Sequence, residues 1–160
     1  MKKRLLLPVV AVAVIVNVLG SGAGHAAGSY PRIFGKSGFN DGPVRIQQTL
    51  SPVGTISFPR GNWMISAKLY LENISSPTEP VRVLCELEAG GDFDVSATTL
   101  GSSSGILNTE SLSMQVVHTY TAASNDATLN CGSTGANKAD AYMIKISGVK
   151  VGRLSNVGLH

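Results

Sequence analysis

The chain has 160 residues, of which 13 are Lys or Arg and 10 are Asp or Glu, so its formal net charge is +3. Lys2, Lys3 and Arg4 account for that whole excess, and the rest of the chain is neutral. A neutral chain lacks the surplus of cations that neutralises phosphates, so we expect no nucleic-acid partner.

The N-terminus has the order of a cleavable export signal. Its three cations precede an apolar run from Leu5 to Leu19 and a small-residue stretch from Gly20 to Ala27. In that stretch Gly24-His25-Ala26 suits cleavage after Ala26, and Ser21-Gly22-Ala23 is a second candidate. A membrane anchor is the alternative, but it needs about 20 apolar residues without small breakers. The sequence therefore predicts a signal helix over residues 1–26, secretion of the remainder, and no membrane attachment after cleavage.

The remainder of the chain reads as β-strands. Apolar and polar residues alternate in five segments, the pattern of strands with one buried face. The inward positions are Trp63, Ile65, Ala67, Leu69, Leu71, Val81, Val83, Cys85, Leu87, Ala89, Leu112, Met114, Val116, His118, Tyr120, Ala127, Leu129, Cys131, Tyr142, Ile144 and Ile146.

Turn residues separate these segments, as in Pro59-Arg60-Gly61-Asn62 and Gly90-Gly91-Asp92. Strands near Val44–Leu50 and Phe93–Leu100 bring the expected total to seven or eight. The sequence thus predicts an all-β fold, an antiparallel sandwich or jelly roll over residues 44–160, after a flexible Gly-rich lead-in over residues 27–43.

The last strand changes phase within its length. After Ile146 the apolar positions become Val149 and Val151, so the alternation slips at Gly148. A glycine at a phase slip predicts a β-bulge or a bend at that point.

The two cysteines, Cys85 and Cys131, both lie in the exported part and on the inward phase of their strands. In an oxidising compartment an even pair predicts one disulfide, which bridges either neighbouring strands or facing sheets. A zinc site is the alternative, but His118 and His160 would complete a poor ligand set.

Two segments carry a resemblance to known proteins. Residues 54–69, GTISFPRGNWMISAKL, have the pattern of two strands joined by a proline, a glycine and an aromatic residue. Residues 144–152, IKISGVKVG, have the pattern of a terminal strand. Together they resemble small secreted β-sandwich proteins of actinobacteria and, more distantly, the jelly-roll head of the C1q and tumour-necrosis-factor group. Because heads of that group often form trimers and bind other surfaces, the resemblance implies a possible homotrimer.

A search for catalytic residues yields none. His118 lies on an apolar phase, which favours a packed residue over a general base, and the chain has no Gly-x-Ser-x-Gly elbow. Glu86 and Glu88 share one strand face instead of opposing each other across a cleft, so a solvated surface is the better interpretation. The sequence predicts neither a catalytic set nor a cofactor.

Candidates for ligand contact are the outward or turn-flanking aromatics Tyr70 and Phe93, whereas the phase of Trp63 predicts a core anchor. Asp92 and Asp94 offer carboxylates to calcium, but calcium takes about six to eight oxygens, so hairpin-turn chemistry is favoured. Asn73-Ile74-Ser75 matches the glycosylation sequon.

Two functions remain open. The favoured one is a non-catalytic secreted module that binds an extracellular surface, a glycan or a protein, or associates with itself. The alternative is a secreted hydrolase whose carboxylates are assembled by the fold, which requires residues such as Asp92, Asp94, Asp126 or Glu110 to surround one cleft.

Overall fold

The computed structural model describes residues 34–75, 78–104, 108–123, 125–155 and 157. The predicted signal over residues 1–26, the first part of the lead-in and His160 lie outside these residues. Within the described part of the chain, no helix is long and apolar enough to span a membrane.

The described residues form nine strands, which confirms the all-β class and exceeds the seven or eight strands predicted. They are β1 (Gly35–Asn40), β2 (Val44–Ile46), β3 (Ser51–Phe58), β4 (Gly61–Asn73), β5 (Val81–Ala89), β6 (Asp92–Leu100), β7 (Thr109–Tyr120), β8 (Asn125–Ser133) and β9 (Ala139–Val151).

The strands form two antiparallel sheets that pack as a sandwich. Sheet A has the order β1-β9-β4-β7, with β2 also paired to β9, and sheet B has the order β3-β8-β5-β6. Since β1 and β2 pair with successive parts of β9, they act as one interrupted edge strand. The first strand then lies beside the last in one sheet and the second beside the second-to-last in the other. This order is that of a jelly roll.

The core lies between the sheets, where the inward phases of both meet. Trp63 and Phe58 are fully buried, with ring centroids 4.7 Å apart, and the indole Nε1 donates to the Pro59 carbonyl at 2.8 Å. The predicted core position of Trp63 is therefore confirmed. Of the other inward positions, all are buried except His118 and Tyr142, which are partly exposed.

The disulfide between Cys85 and Cys131 is confirmed. The two cysteines lie directly opposite each other on β5 and β8, both completely buried, so the bond links neighbouring strands of sheet B and not the two sheets.

The lead-in prediction is wrong for its second half. Residues 35–40 form β1, which pairs with β9 over six residues from Gly35 opposite Val149 to Asn40 opposite Ile144. Alternation is weak in this segment because an edge strand rich in glycine buries little side-chain surface.

The bulge predicted at Gly148 is also misplaced. Gly148 continues the ladder opposite Ile65, and it is buried because the rings of Phe58 and Trp63 fill the space above its Cα. The register shifts instead near Met143, which has a φ of 48°. The extra residue in β9 interrupts the alternation of inward and outward side chains at this point. Tyr142 therefore faces away from the core, whereas Ile144 faces into it.

Candidate functional site

The outer face of sheet A, here called face A, is the surface on which exposed large side chains and cations meet. It is formed by the outward phases of the three strands β4, β7 and β9. Its members are Met64, Ser66, Lys68, Tyr70, Glu72, Ser111, Ser113, Gln115, Val117, Tyr142, Lys145, Ser147 and Val149.

The register arranges these side chains in cross-strand rows. Tyr70 lies opposite Tyr142, and two residues back along β4 Lys68 lies opposite Lys145. The next row is polar, and the row after it is apolar. They consist of Ser147, Ser66 and Gln115, and of Val149, Met64 and Val117.

An aromatic depression of about 300 Å³ occupies one end of face A. Tyr70 and Tyr142 line it together with Asp41, Glu72 and the bulge residue Met143. The bulge leaves Met143 69% exposed, and the backbone N–H of Met143 donates to the Asp41 carbonyl at 3.2 Å. An irregular backbone thus presents a large apolar side chain beside two tyrosines and two carboxylates.

The charged side chains at this end of face A are mostly carboxylates. Partial burial raises the pKa of the Tyr142 phenol, and the carboxylates of Glu72 and Asp140 raise it further, against the opposing effect of Arg45. The Arg45 Nε donates to Asp140 at 2.5 Å, which ties β2 to β9. Tyr142 therefore stays protonated and able to donate a hydrogen bond at neutral pH.

A second, polar depression of about 510 Å³ lies further along face A. It is lined by Ser66, Lys68, Ala67, Asp94, Ser113, Met114, Gln115, Lys145 and Ser147. The two lysines are exposed, and the lining thus combines two cations with three hydroxyl groups and an amide.

The calcium candidates Asp92 and Asp94 bind across to β7 instead. The Asp94 carboxylate accepts from the backbone N–H of Gln115 at 2.8 Å, and Asp92 Oδ2 lies 2.7 Å from Nδ1 of His118. Both contacts fasten the edge of sheet B to the edge of sheet A. No group of three or more His, Cys, Asp or Glu side chains able to hold a metal occurs among the described residues.

His118 sits over the turn between β5 and β6. Its side chain is 18% exposed, and its ring meets Tyr120 edge-on with centroids 4.6 Å apart. Gly90, which has a φ of 60°, leaves room for the imidazole ring of His118. A Cβ at this position would clash with that ring. The histidine is thus a partly buried residue that packs on a glycine turn of sheet B.

Tyr70 and Phe93, the two predicted ligand contacts, are not brought together. Tyr70 is 37% exposed on face A, whereas Phe93 is 64% exposed on β6, opposite Glu88 in sheet B. The two side chains therefore lie on the outer faces of different sheets.

The carboxylates that a hydrolase would need do not surround one cleft either. Asp126 accepts from Ser57 Oγ at 2.5 Å on the β3 side of sheet B, whereas Asp92 and Asp94 face β7 at the opposite edge. Glu110 pairs with Leu71 near the start of β7.

The glycosylation sequon has its asparagine inside the protein. Asn73 is 1% exposed, and its Nδ2 donates to the carbonyls of Glu79 and Gly101 at 2.8 and 2.6 Å. Its Oδ1 accepts from the Ser75 backbone N–H. The side chain organises the surrounding loops and is not accessible to a glycosyltransferase in the folded chain.

Sequence reasoning missed three features of this surface, namely the Lys68–Lys145 pair, the outward position of Tyr142 and the bulge at Met143. The Lys68–Lys145 pair and the position of Tyr142 depend on the β4–β9 register, which alternation within one strand does not reveal. Met143 depends on a bulge without a glycine, so no local residue type announced it.

No protein-family model and no curated protein matches this chain. The solved structures to which it is similar include two of low identity. Dimeric latent PorU from Porphyromonas gingivalis is 14% identical with a TM-score of 0.45, over 81% of this chain and 14% of that one. An Eiger TNF from S. frugiperda is 10% identical with a TM-score of 0.30, over 64% of this chain and 66% of that one. At these values neither likeness assigns an activity.

Proposed function

We propose that this chain is an exported, non-catalytic module that binds an extracellular glycan on face A. The order of cations, apolar run and small residues at the N-terminus supports export. The buried Cys85–Cys131 disulfide fits an extracellular protein, since such bonds persist in oxidising compartments.

The observation that supports glycan binding most strongly is the aromatic depression. Ligand sites combine apolar and aromatic walls with a few polar groups that fix orientation. Tyr70, Tyr142 and Met143 provide the apolar wall, and the carboxylates of Asp41 and Glu72 provide acceptors for sugar hydroxyls. A sugar ring has just this division between apolar C–H faces and hydroxyl edges.

Self-association through the same face is the second candidate. The row of Val149, Met64 and Val117 is apolar, with Val149 and Met64 each 39% exposed. Such a row suits contact with another copy of the chain, including the homotrimer that the C1q and tumour-necrosis-factor resemblance implies. Light scattering distinguishes the two candidates: a trimer that Met64→Ser converts to monomer favours self-association, and a monomeric wild type favours the glycan.

The test of glycan binding compares two exposed aromatics on opposite sheets. Purified mature protein is titrated calorimetrically against a panel of neutral and acidic polysaccharides. We expect Tyr70→Ala to weaken binding about tenfold or more, as loss of an aromatic contact does, and Phe93→Ala to leave it unchanged. Equal affinity in wild type and Tyr70→Ala, with both melting normally, would remove face A as the site.

A further inference from the structure

The central feature of face A is a pair of like charges placed directly opposite each other. Lys68 on β4 is the register partner of Lys145 on β9, and both side chains are exposed on the outward phase. Like charges in directly opposed positions of an antiparallel pair are destabilising. The fold itself gains nothing from this arrangement.

Neither lysine is neutralised by a neighbour. The ion pairs among the described residues are Arg45–Asp140, His118–Asp92 and Lys138–Glu79, so Lys68 and Lys145 take part in none of them. The one carboxylate that lines the same depression, Asp94, is engaged by the Gln115 backbone N–H at 2.8 Å. That hydrogen bond does not remove the charge of Asp94, so two lysines and one carboxylate leave the depression with a net charge of +1.

Hydrogen-bond donors surround the pair. Ser113 lies opposite Lys68 on β7, and Ser66 and Ser147 face each other in the adjacent row. The Gln115 amide already donates to Ser66 Oγ at 3.3 Å, which leaves the Ser66 hydroxyl hydrogen free to point into the depression. Two ammonium groups with several hydroxyls make a surface that recognises an anion by charge-assisted hydrogen bonds.

We propose that Lys68 and Lys145 form an anion subsite, so that the glycan bound by face A is an acidic polysaccharide carrying carboxylate or sulfate groups. This inference rests on the proposed glycan function. Lys68 and Tyr70 are two residues apart on one strand face, about 6 to 7 Å by strand rise. A sugar packed on Tyr70 thus places an acidic substituent, or that of the next sugar, at the lysines.

The experiment measures the affinity of the mature protein for three polysaccharides. Polygalacturonate supplies carboxylates, dextran sulfate supplies sulfates, and dextran has the same uncharged backbone as the latter. The variant is K68Q/K145Q, and the matched control R82Q/R153Q removes the same net charge from exposed positions outside the depression.

We expect K68Q/K145Q to lose at least about tenfold in affinity for one or both acidic polymers, since each charged hydrogen bond contributes substantially. The control should lose far less. Wild-type binding should weaken as salt rises, because screening reduces the attraction. The acidic polymer with the larger loss identifies carboxylate or sulfate as the preferred group.

Failure of the subsite and failure of the glycan function give different results. Wild type that binds dextran as tightly as dextran sulfate, or K68Q/K145Q that keeps full affinity for both acidic polymers, overturns the anion subsite alone. In that case the comparison of wild type with Tyr70→Ala still tests whether face A binds a glycan. Wild type that binds none of the three polymers overturns both proposals.

A second readout needs no ligand. Removal of the Lys68–Lys145 repulsion should leave the melting temperature of K68Q/K145Q equal to or above that of wild type, most clearly at low salt. A lower melting temperature would show that the lysines stabilise the fold, which contradicts a pair kept for binding.

Discussion

The two outer faces of this sandwich differ far more than its two inner faces. Inside, both sheets present mainly aliphatic residues, with a few buried aromatic rings. Outside, sheet B carries carboxylates, small polar groups and the exposed apolar side chains of Phe93 and Val95, while face A carries a lysine pair, two tyrosines and a bulged methionine. The outward residues of sheet B include Glu86, Glu88, Asp126, Thr55, Thr128 and Asn130.

The disulfide bond is also confined to one of the two sheets. The only disulfide formed by the chain's two cysteines lies within sheet B, between β5 and β8. Sheet A, which carries the proposed binding face, is held by hydrogen bonds and core packing. The disulfide and the proposed binding face thus belong to different sheets, and separate variants can test each.

Removal of the disulfide should have the largest effect on stability. The bond closes a loop between cysteines 46 residues apart, and chain entropy alone assigns it on the order of 4 kcal/mol. We expect C85A/C131A to lower the free energy of unfolding in urea by roughly that amount. If the variant remains folded, its glycan affinity should match that of wild type. A simultaneous loss of affinity would show that sheet B contributes to the site.

A methyl group at Gly148 should have the next largest effect. A Cβ there would approach Cε1 of Phe58 to 2.5 Å, with Trp63 close behind, so the rings must move. Overpacking of this kind costs about 1–3 kcal/mol. Gly152→Ala is the control, since no atom lies within 4 Å of its Cβ. Equal urea midpoints for the two variants would refute the close packing of β9 on the aromatic core.

The contact between sheets at Tyr120 should produce a smaller, pH-dependent effect. Burial, and secondarily Asp126, raises the pKa of this phenol from 10.0 to about 12. Below the unfolded value both states hold the proton. As pH rises through 10 towards 12, the unfolded chain loses it first, so stability falls.

The variant for this test is Tyr120→Phe. At neutral pH it should lose about 1 kcal/mol, because Tyr120 Oη donates to the Asp126 carbonyl at 3.1 Å. Above pH 10 the free energy of unfolding of this variant should fall less with rising pH than that of wild type. Parallel alkaline profiles, followed by circular dichroism in urea, would contradict a raised pKa.

Much of the fold was predictable because each long strand reports its own buried face. The alternation in β4, β5 and β8 placed Trp63, Cys85 and Cys131 inward, and all three are buried. Alternation also predicted an all-β sandwich or jelly roll. It failed at β1, where glycines give no pattern, and at Tyr142, which was predicted inward but faces outward beside a bulge that no glycine marks.

The candidate site was less predictable, since it depends on which strands are neighbours. Phase alone indicated that Tyr70 faces outward, and the structure agrees. Only the antiparallel register of β4 with β9 places Tyr142 and Lys145 beside it. Residues 72 or more positions apart in sequence meet here through a long-range pairing that a local pattern cannot encode.

The most direct test of the central claim is chemical-shift mapping of backbone amides by NMR while polygalacturonate fragments are added. We expect the shifted amides to cluster on β4, β9 and the neighbouring part of β7, around Lys68, Tyr70 and Lys145. Amides of β3, β8 and β5 should remain unchanged. Shifts that cluster instead on the outer face of sheet B, around Phe93 and Glu88, would contradict it.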